Sequence, residues 1–411
     1  MRRLTKILLV ATIIGGAAWL NKTGRAPMPD AASATRRHPT PRSAIAPDDP
    51  THPRQANANG DAPGAPYWSD HIAPDADSET VQPIAGNGEV LQPLSRNSAA
   101  PRRRAGREPP IFAQLRSSKD APIPQCVRDL AEEITEGATN EVGKARAIYD
   151  WLTRNIVYDT AEWESIASGA NYYIHEHDPA SVLERGTTVC IGYAWLFDDL
   201  CEAAGIEATW LIGDVRGFRG TPDDDLVSDV RHAWNAVKLE DGEWHLLDAT
   251  WGALQEGEAE SAAWVSRADY YFDTPAGQFV YDHLPENEDW QLLETAVPSE
   301  TAFSVLPNLK PAFFTNGLTL GEDYTSVLRA KAGRNAALSF DAPSGIQMAA
   351  TLGPANGSGD FRRIRIVSSA DGGQTAVIPE LSPGEYILRL YSGKSSANLL
   401  ECSADFLIRA E

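Results

Sequence analysis

Apolar positions recur at helical spacing in the middle of the chain and at alternating spacing towards its end. Across residues 141–155, Ile148, Trp151 and Leu152, continued by Ile156, share one face, which predicts a helix whose stripe is core. A shorter helix is expected before it, over residues 127–135. Another begins near Cys190, with Ala194, Phe197, Cys201 and Ala204 on its buried face, Thr187 and Thr188 as capping hydroxyls and Gly205 to close it. Two strands follow, over residues 232–239 (HAWNAVKL) and 243–251 (EWHLLDATW), separated by Glu240, Asp241 and Gly242. From about residue 300 the pattern becomes short alternating runs at 337–340, 363–367 and 386–391, broken by Gly, Pro, Asn and Ser, which predicts a β-sandwich of about one hundred residues.

Composition divides the rest of the chain. Of 28 prolines, 15 fall in residues 21–110, where Tyr67 and Trp68 are the only aromatics, so this stretch cannot build a core and reads as a disordered Pro/Ala-rich linker. Nine of the 11 tryptophans lie between Trp151 and Trp290, which marks the aromatic-rich folded unit. Ahead of the linker, Arg2, Arg3 and Lys6 precede an apolar run over residues 7–20. That is the pattern of an export signal or short N-terminal anchor, and it places the protein in the periplasm, outside the cell or on a membrane. The expected domains are therefore 1–20 signal or anchor, 21–110 linker, 111–297 catalytic unit and 298–411 sandwich. The basic residues Arg102, Arg103, Arg104 and Arg107 read as a solvated linker end.

Charge narrows the partners. Residues 1–110 hold 14 Lys and Arg against 10 Asp and Glu, so the remainder carries −25 beneath a total of −21. A folded part this acidic argues against binding nucleic acid and against attraction to anionic lipid, leaving membrane contact to the N-terminal segment.

The chemistry is carried by three residues in order. A thiol in the first turn of a helix sits among unpaired N–H groups at the positive end of the macrodipole, which favours the thiolate of Cys190. An imidazole can take the thiol proton and return it to a leaving amine, and a carboxylate can orient that imidazole. His232 and Asp248 fit these roles. Their meeting depends on the turn between the two strands. A two-residue Asp241-Gly242 turn would pair Asn235 with Asp248 and point the carboxylate away from His232. A three-residue loop with Gly242 left-handed pairs Trp234 with Asp248 and makes His232 its same-face diagonal neighbour, at roughly 7–8 Å between Cα atoms. The three-residue loop is the expectation. His245 alternates to the other face and is left out of the triad.

These segments resemble the transglutaminase-like superfamily of papain-like thiol enzymes, through Thr188-Val189-Cys190-Ile191-Gly192-Tyr193-Ala194, His232-Ala233-Trp234-Asn235-Ala236-Val237 and Leu247-Asp248-Ala249-Thr250-Trp251-Gly252. Upstream, Ala147-Ile148-Tyr149-Asp150-Trp151 and Asn155-Ile156-Val157-Tyr158-Asp159 look like the helix that precedes the cysteine. Downstream, Tyr270-Tyr271-Phe272, Tyr281-Asp282-His283-Leu284-Pro285 and Trp290-Gln291-Leu292-Leu293 are similar to the kyphoscoliosis peptidase branch. The resemblance covers about residues 125–295. It implies an α+β fold, with a papain-like core of helices on an antiparallel sheet followed by the smaller all-β sandwich. It also implies Cys190 as nucleophile, His232 as base and acid and Asp248 as orienter. The implied reaction is acyl transfer on a peptide or isopeptide amide through a thioester, resolved by water or by an amine. The alternative is a binding or scaffold protein that keeps the fold.

No cofactor or metal is expected. There is no Cys-x-x-Cys pair of the zinc-bearing glycanase type and no evident calcium loop, and Ile191 replaces the tryptophan that follows the cysteine in animal cross-linking enzymes. His175 and His177 in a loop read as surface polarity, and Asp223, Asp224 and Asp225 as an exposed loop. Of the oxyanion donors, the Cys190 N–H is one candidate. Position 184 holds glutamate, not a papain-style glutamine, and Tyr173 or a backbone amide are the other options. Cys190 cannot pair with Cys201, because eleven helical residues span roughly 16 Å; Cys126, Cys201 and Cys402 leave room for one disulfide.

Overall fold

A computed structural model describes residues 71–72, 89–90, 92–93, 112, 121–167, 175–216, 231–255, 258–298, 300–321, 324–355, 361–369, 373–397 and 399–411. The segment expected to direct export, the basic patch at 102–107, Tyr173 and Asp223 to Asp225 lie outside the described residues. Within the expected linker, three two-residue strands are described: β1 (His71–Ile72), β2 (Glu89–Val90) and β3 (Gln92–Pro93). They pair with the C-terminal sheets, so these six residues differ from a structureless tether, and the reason is the row of unpaired N–H and C=O groups that sheet edges offer. No helix among the described residues is long and apolar enough to cross a membrane.

The helical stripe gives α2 (Glu141–Asn155), preceded by α1 (Gln125–Thr135). The Asn140 side chain caps α2 by accepting the Gly143 N–H, and Ile148, Leu152 and Ile156 are buried while Trp151 is half-buried. After β4 (Val157–Tyr158) come α3 (Thr160–Ala167) and α4 (Pro179–Arg185), the latter capped by Asp178 and closed by a left-handed Gly186. Next, β5 (Thr187–Thr188) pairs in parallel with β4 and delivers the chain to α5 (Cys190–Ala203). This helix packs against α1 and α2 on one side and strands of the main sheet on another, so it is buried almost all round.

That sheet contains β6 (Ala208–Val215), β7 (Arg231–Lys238), β8 (Trp244–Leu247) and β9 (His283–Pro285) in the order β8-β7-β6-β9, all antiparallel. Asn235 ties it to α5 by donating Nδ2 to the Ala194 carbonyl at 2.9 Å. Strand β8 is shorter than its apolar pattern suggests, because Asp248 turns the chain into α6 (Ala249–Gly252). Between α6 and β9 lie α7 (Ala262–Tyr270) and α8 (Ala276–Phe279).

The C-terminal part opens with α9 (Glu300–Ser304), β10 (Asn308–Leu309), α10 (Pro311–Thr315) and β11 (Thr319–Leu320). Its main strands are β12 (Val327–Ala330), β13 (Ala336–Asp341), β14 (Ile346–Pro354), β15 (Arg362–Ile364), β16 (Ile366–Ser368), β17 (Gly373–Ile378), β18 (Gly384–Lys394) and β19 (Leu400–Ala410). One sheet runs β15-β14-β18-β19-β12-β3, with β1 and β10 also on β19; the other runs β11-β13-β17-β16, with β2 on β13. The run expected at 363–367 is two strands, since the chain leaves one sheet after Ile364 and joins the other at Ile366. The core of this part reaches back across residue 298 to Val280, Tyr281 and Leu284, which flank the start of β9. Arg216 reinforces the junction by donating Nη1 to the Phe303 carbonyl at 3.1 Å.

Candidate active site

Cys190 is the first residue of α5 and is 1% exposed. The cap is Val189, in extended backbone, with no side-chain hydrogen bond. Capping by a threonine is therefore corrected: the Thr188 hydroxyl lies 2.9 Å from His177 Nδ1, and its side chain folds over Gly192, where a Cβ would collide with it. Gly192 is thus required by a close approach, and the first N–H groups of α5 stay without intrahelical partners beside the thiol.

The hairpin places the other two residues. Its register pairs Asn235 with Leu247 and Lys238 with Trp244, and Leu239 N–H donates to Glu243 O, leaving a three-residue loop of Glu240, Asp241 and Gly242. Gly242 has φ +83°, as the loop requires. Continued by one residue, the register sets Trp234 opposite Asp248, and His232 Nε2 reaches Asp248 Oδ2 at 2.8 Å. Cys190 acts electrostatically on the His232 imidazole. With Nε2 taken by the carboxylate, Nδ1 is the nitrogen left for the thiol. Three segments far apart in sequence therefore meet in one buried row.

Asp248 has a second task. Its Oδ1 accepts the Thr250 and Trp251 N–H groups at 2.8 and 3.1 Å and so caps α6, which fixes the carboxylate before any imidazole approaches. Burial alone would raise its pKa, but the His232 charge and hydrogen bonds from His232 and His283 hold it well below the usual carboxylate range. For His232, burial pulls the other way, yet Asp248 and Cys190 together push its pKa up to about 10.

One site residue was missed from sequence. His283 Nε2 lies 3.1 Å from Asp248 Oδ2, and its Nδ1 lies 2.6 Å from Asp282 Oδ1. Asp282 Oδ2 accepts the Tyr271 hydroxyl at 2.9 Å. The geometry follows from the sheet: β9 sets His283 opposite Val215, and β7 sets His232 opposite Gly213, two residues away and on the same face of β6. A Cβ at Gly213 would run into Leu284 O and the Trp234 ring, so the bare position lets the strands and rings close in. The adjacent Asp282-His283 pair was the available signal, but its meeting with Asp248 needed the strand order.

His177 corrects a second expectation. It is fully buried, not surface polarity, with Nε2 3.2 Å from Glu162 Oε1. Burial would raise the Glu162 carboxyl, but His177 and the His175 N–H, at 2.7 Å, hold it below its ordinary value. This pair braces Thr188, two residues before Cys190. Glu184 is exposed on α4, and His245 lies outside the triad, paired with Asp273 at 2.7 Å. No disulfide joins any of the four cysteines: Cys201 is inside the core, Cys126 is exposed on α1 and Cys402 is on β19.

Two groups among the described residues bring ligand-type atoms close enough for a metal ion: His232 with Asp248 and His283, and Asp159 with Glu162 and His175. In the first, the contacts of 2.8 and 3.1 Å are hydrogen-bond distances that account for the arrangement by themselves. In the second, Asp159 Oδ1 and Glu162 Oε1 already accept backbone N–H groups.

A helix-borne thiol beside a histidine and an aspartate on an antiparallel hairpin defines a papain-like arrangement. Residues 128–249 match the family model of the Transglutaminase-like superfamily, and the unit they build is a transglutaminase-like domain. The chain is similar to kyphoscoliosis peptidase of Homo sapiens, 31% identical over 54% of this chain and 32% of that protein, and to that of Mus musculus, 29% identical over 54% and 33%. It spans about a third of the length of these relatives. A solved structure described as a TGase is 19% identical, covering 37% of this chain and 39% of that one, with a TM-score of 0.25.

Proposed function

We propose that the protein is an exported or membrane-anchored thiol enzyme that transfers acyl groups from peptide or isopeptide amides. The observation that carries this reading is the single buried row Cys190, His232, Asp248. Cys190 Sγ attacks the amide carbonyl and its proton passes to His232; the C–N bond then breaks as His232 protonates the departing amine. The Cys190 N–H, which has no intrahelical acceptor as the first residue of α5, supports the oxyanion. Water or a primary amine next attacks the thioester, releasing an acid or a new amide and restoring the thiol. The acidic folded part favours cationic protein or peptide substrates by steering. The kinship with proteins named peptidase supports the hydrolytic branch.

The test is the alkylation rate of Cys190 by iodoacetamide at neutral pH. Wild type should react faster than His232→Ala, and equal rates would remove the activated thiol. Cys190→Ser should abolish amide turnover while keeping the fold. A fluorescent primary amine offered with a protein library separates the branches: incorporated amine marks transamidation and new termini mark hydrolysis. One observation favours the scaffold reading, namely that Cys190 is buried, so a substrate reaches it only after the site opens. Absence of both products would support that reading.

A further inference from the structure

His283 is fully buried, and neither of its ring nitrogens faces water or a backbone group. Nδ1 meets Asp282 Oδ1 at 2.6 Å and Nε2 meets Asp248 Oδ2 at 3.1 Å. An ionised carboxylate only accepts, so the contact with Asp248 takes an N–H on Nε2 as its donor. Aromatic walls hold the ring in place: it stacks on Phe279 at 4.0 Å between centroids and lies 4.5 Å from the Trp251 ring and 4.9 Å, edge to face, from Trp234. Asp282 is itself fixed through its other oxygen by the Tyr271 hydroxyl.

Asp248 is therefore shared. Its four acceptor positions are filled by Thr250 N–H, Trp251 N–H, His232 and His283, the two imidazoles on one oxygen. The ring centroids of the two histidines are 5.8 Å apart. A second donor on the same Oδ2 draws on the carboxylate charge that would otherwise stabilise the proton of His232 alone. This matters because a general acid must release its proton to the leaving amine, and an imidazolium gripped by an unshared buried carboxylate releases it poorly.

We infer that His283 is a positioning residue for the reaction proposed above, and the inference rests on that reading: clamped between Asp248 and Asp282, it shares the orienting carboxylate with His232 and limits how tightly His232 holds its proton. The titratable groups facing the pair are Cys190, Asp248, Asp282 and Tyr271, with Tyr149, Tyr158 and Tyr193 within electrostatic reach of Asp248. These tyrosines are kept neutral first by burial and then by neighbouring charge, so they do not titrate in the window that matters.

The experiment is NMR titration of the histidine rings in the full-length, ¹⁵N-histidine-labelled chain, for wild type, His283→Gln and Asp282→Asn. In wild type, His283 should carry a proton on Nε2, the nitrogen that faces Asp248. In both variants the proton loss of His232 should move to higher pH by about one unit, a tenfold gain in proton affinity. A purely structural role would lower thermal stability without moving that midpoint. If His283→Gln does not fold, Asp282→Asn still decides, because it loosens the clamp that holds His283 against Asp248. An unchanged or lowered His232 midpoint, or a bare Nε2 on His283, would overturn the inference. The titration reads no turnover, so its failure is distinct from that of the proposed chemistry, which the iodoacetamide comparison tests separately.

Discussion

The two sheets at the centre of the molecule bury different things. In the sandwich, β13 hides Ala336, Leu338 and Phe340 and exposes Ser339 and Asp341, a strict alternation with apolar residues inside. In the other sheet, β7 is buried from Arg231 to Val237 on both faces and carries Arg231, His232 and Asn235 into the interior. A strand with one wet face is specified by its period alone. A strand covered on both sides buries every residue between its ends, and polar groups there persist only with partners. The site lies where that second condition is met most densely.

The largest effects should come from removing the best-connected residue of each region. Asp248→Ala strips the acceptor from two buried imidazoles and two N–H groups and should cost about 3–5 kcal/mol, read from the urea midpoint. Phe406→Ala, in the fully buried sandwich core, should cost a similar 3–5 kcal/mol by leaving a cavity. Only the first should also slow Cys190 alkylation at a pH where both variants are folded. If Phe406→Ala slowed it as much, the two regions would not be separable.

A smaller effect is the pH dependence of stability. The folded pKa of His232, about 10, lies above its ordinary 6.5, so its contribution is full below pH 6.5 and is lost as pH rises through about 10. His245, raised to about 9 by Asp273 and despite partial burial, adds to the same window but is half-exposed and screened. Asp248 is held low, so its contribution is present above the ordinary carboxylate value and is lost only as pH falls well beneath it. Stability of wild type should therefore decline between pH 6.5 and 10, and denaturant midpoints of His232→Ala across that range should decline less. Parallel curves would mean that the imidazole carries no such linkage.

These contrasts also explain what could be read from sequence. Helix α2 was legible because its apolar stripe keeps to one face at helical spacing, and the hairpin register because Gly242 marks the third loop position. The end of β8 was not, since Leu247 to Trp251 keeps the alternation of apolar and polar residues and only the three-dimensional use of Asp248 as a cap breaks the strand. His177 was misread because loop position suggests exposure, whereas a buried Glu162 waits for it from α3. His283 was quoted without a role, because the order β8-β7-β6-β9 that brings it to Asp248 is a tertiary fact. The strands β1 to β3 escaped notice because two-residue edge pairings carry no periodicity.

The smallest predicted effect separates backbone strain from site geometry. Gly242 and Gly345 both sit at positive φ, +83° and +87°, and nothing within 4 Å would meet a Cβ at either. An alanine at each should therefore cost only the left-handed backbone, about 1 kcal/mol, in the urea midpoint. Gly345 follows β13 in the sandwich, far along the chain from the site, whereas Gly242 closes the loop that sets Asp248 against His232. If the hairpin register is held by the paired, buried faces of β7 and β8, Gly242→Ala and Gly345→Ala should match in stability and both keep wild-type alkylation of Cys190. Slower alkylation in Gly242→Ala alone would show that the loop, more than the packing of the two strands, holds the carboxylate in line. That outcome would shift the origin of the site's geometry from the buried sheet to one left-handed glycine.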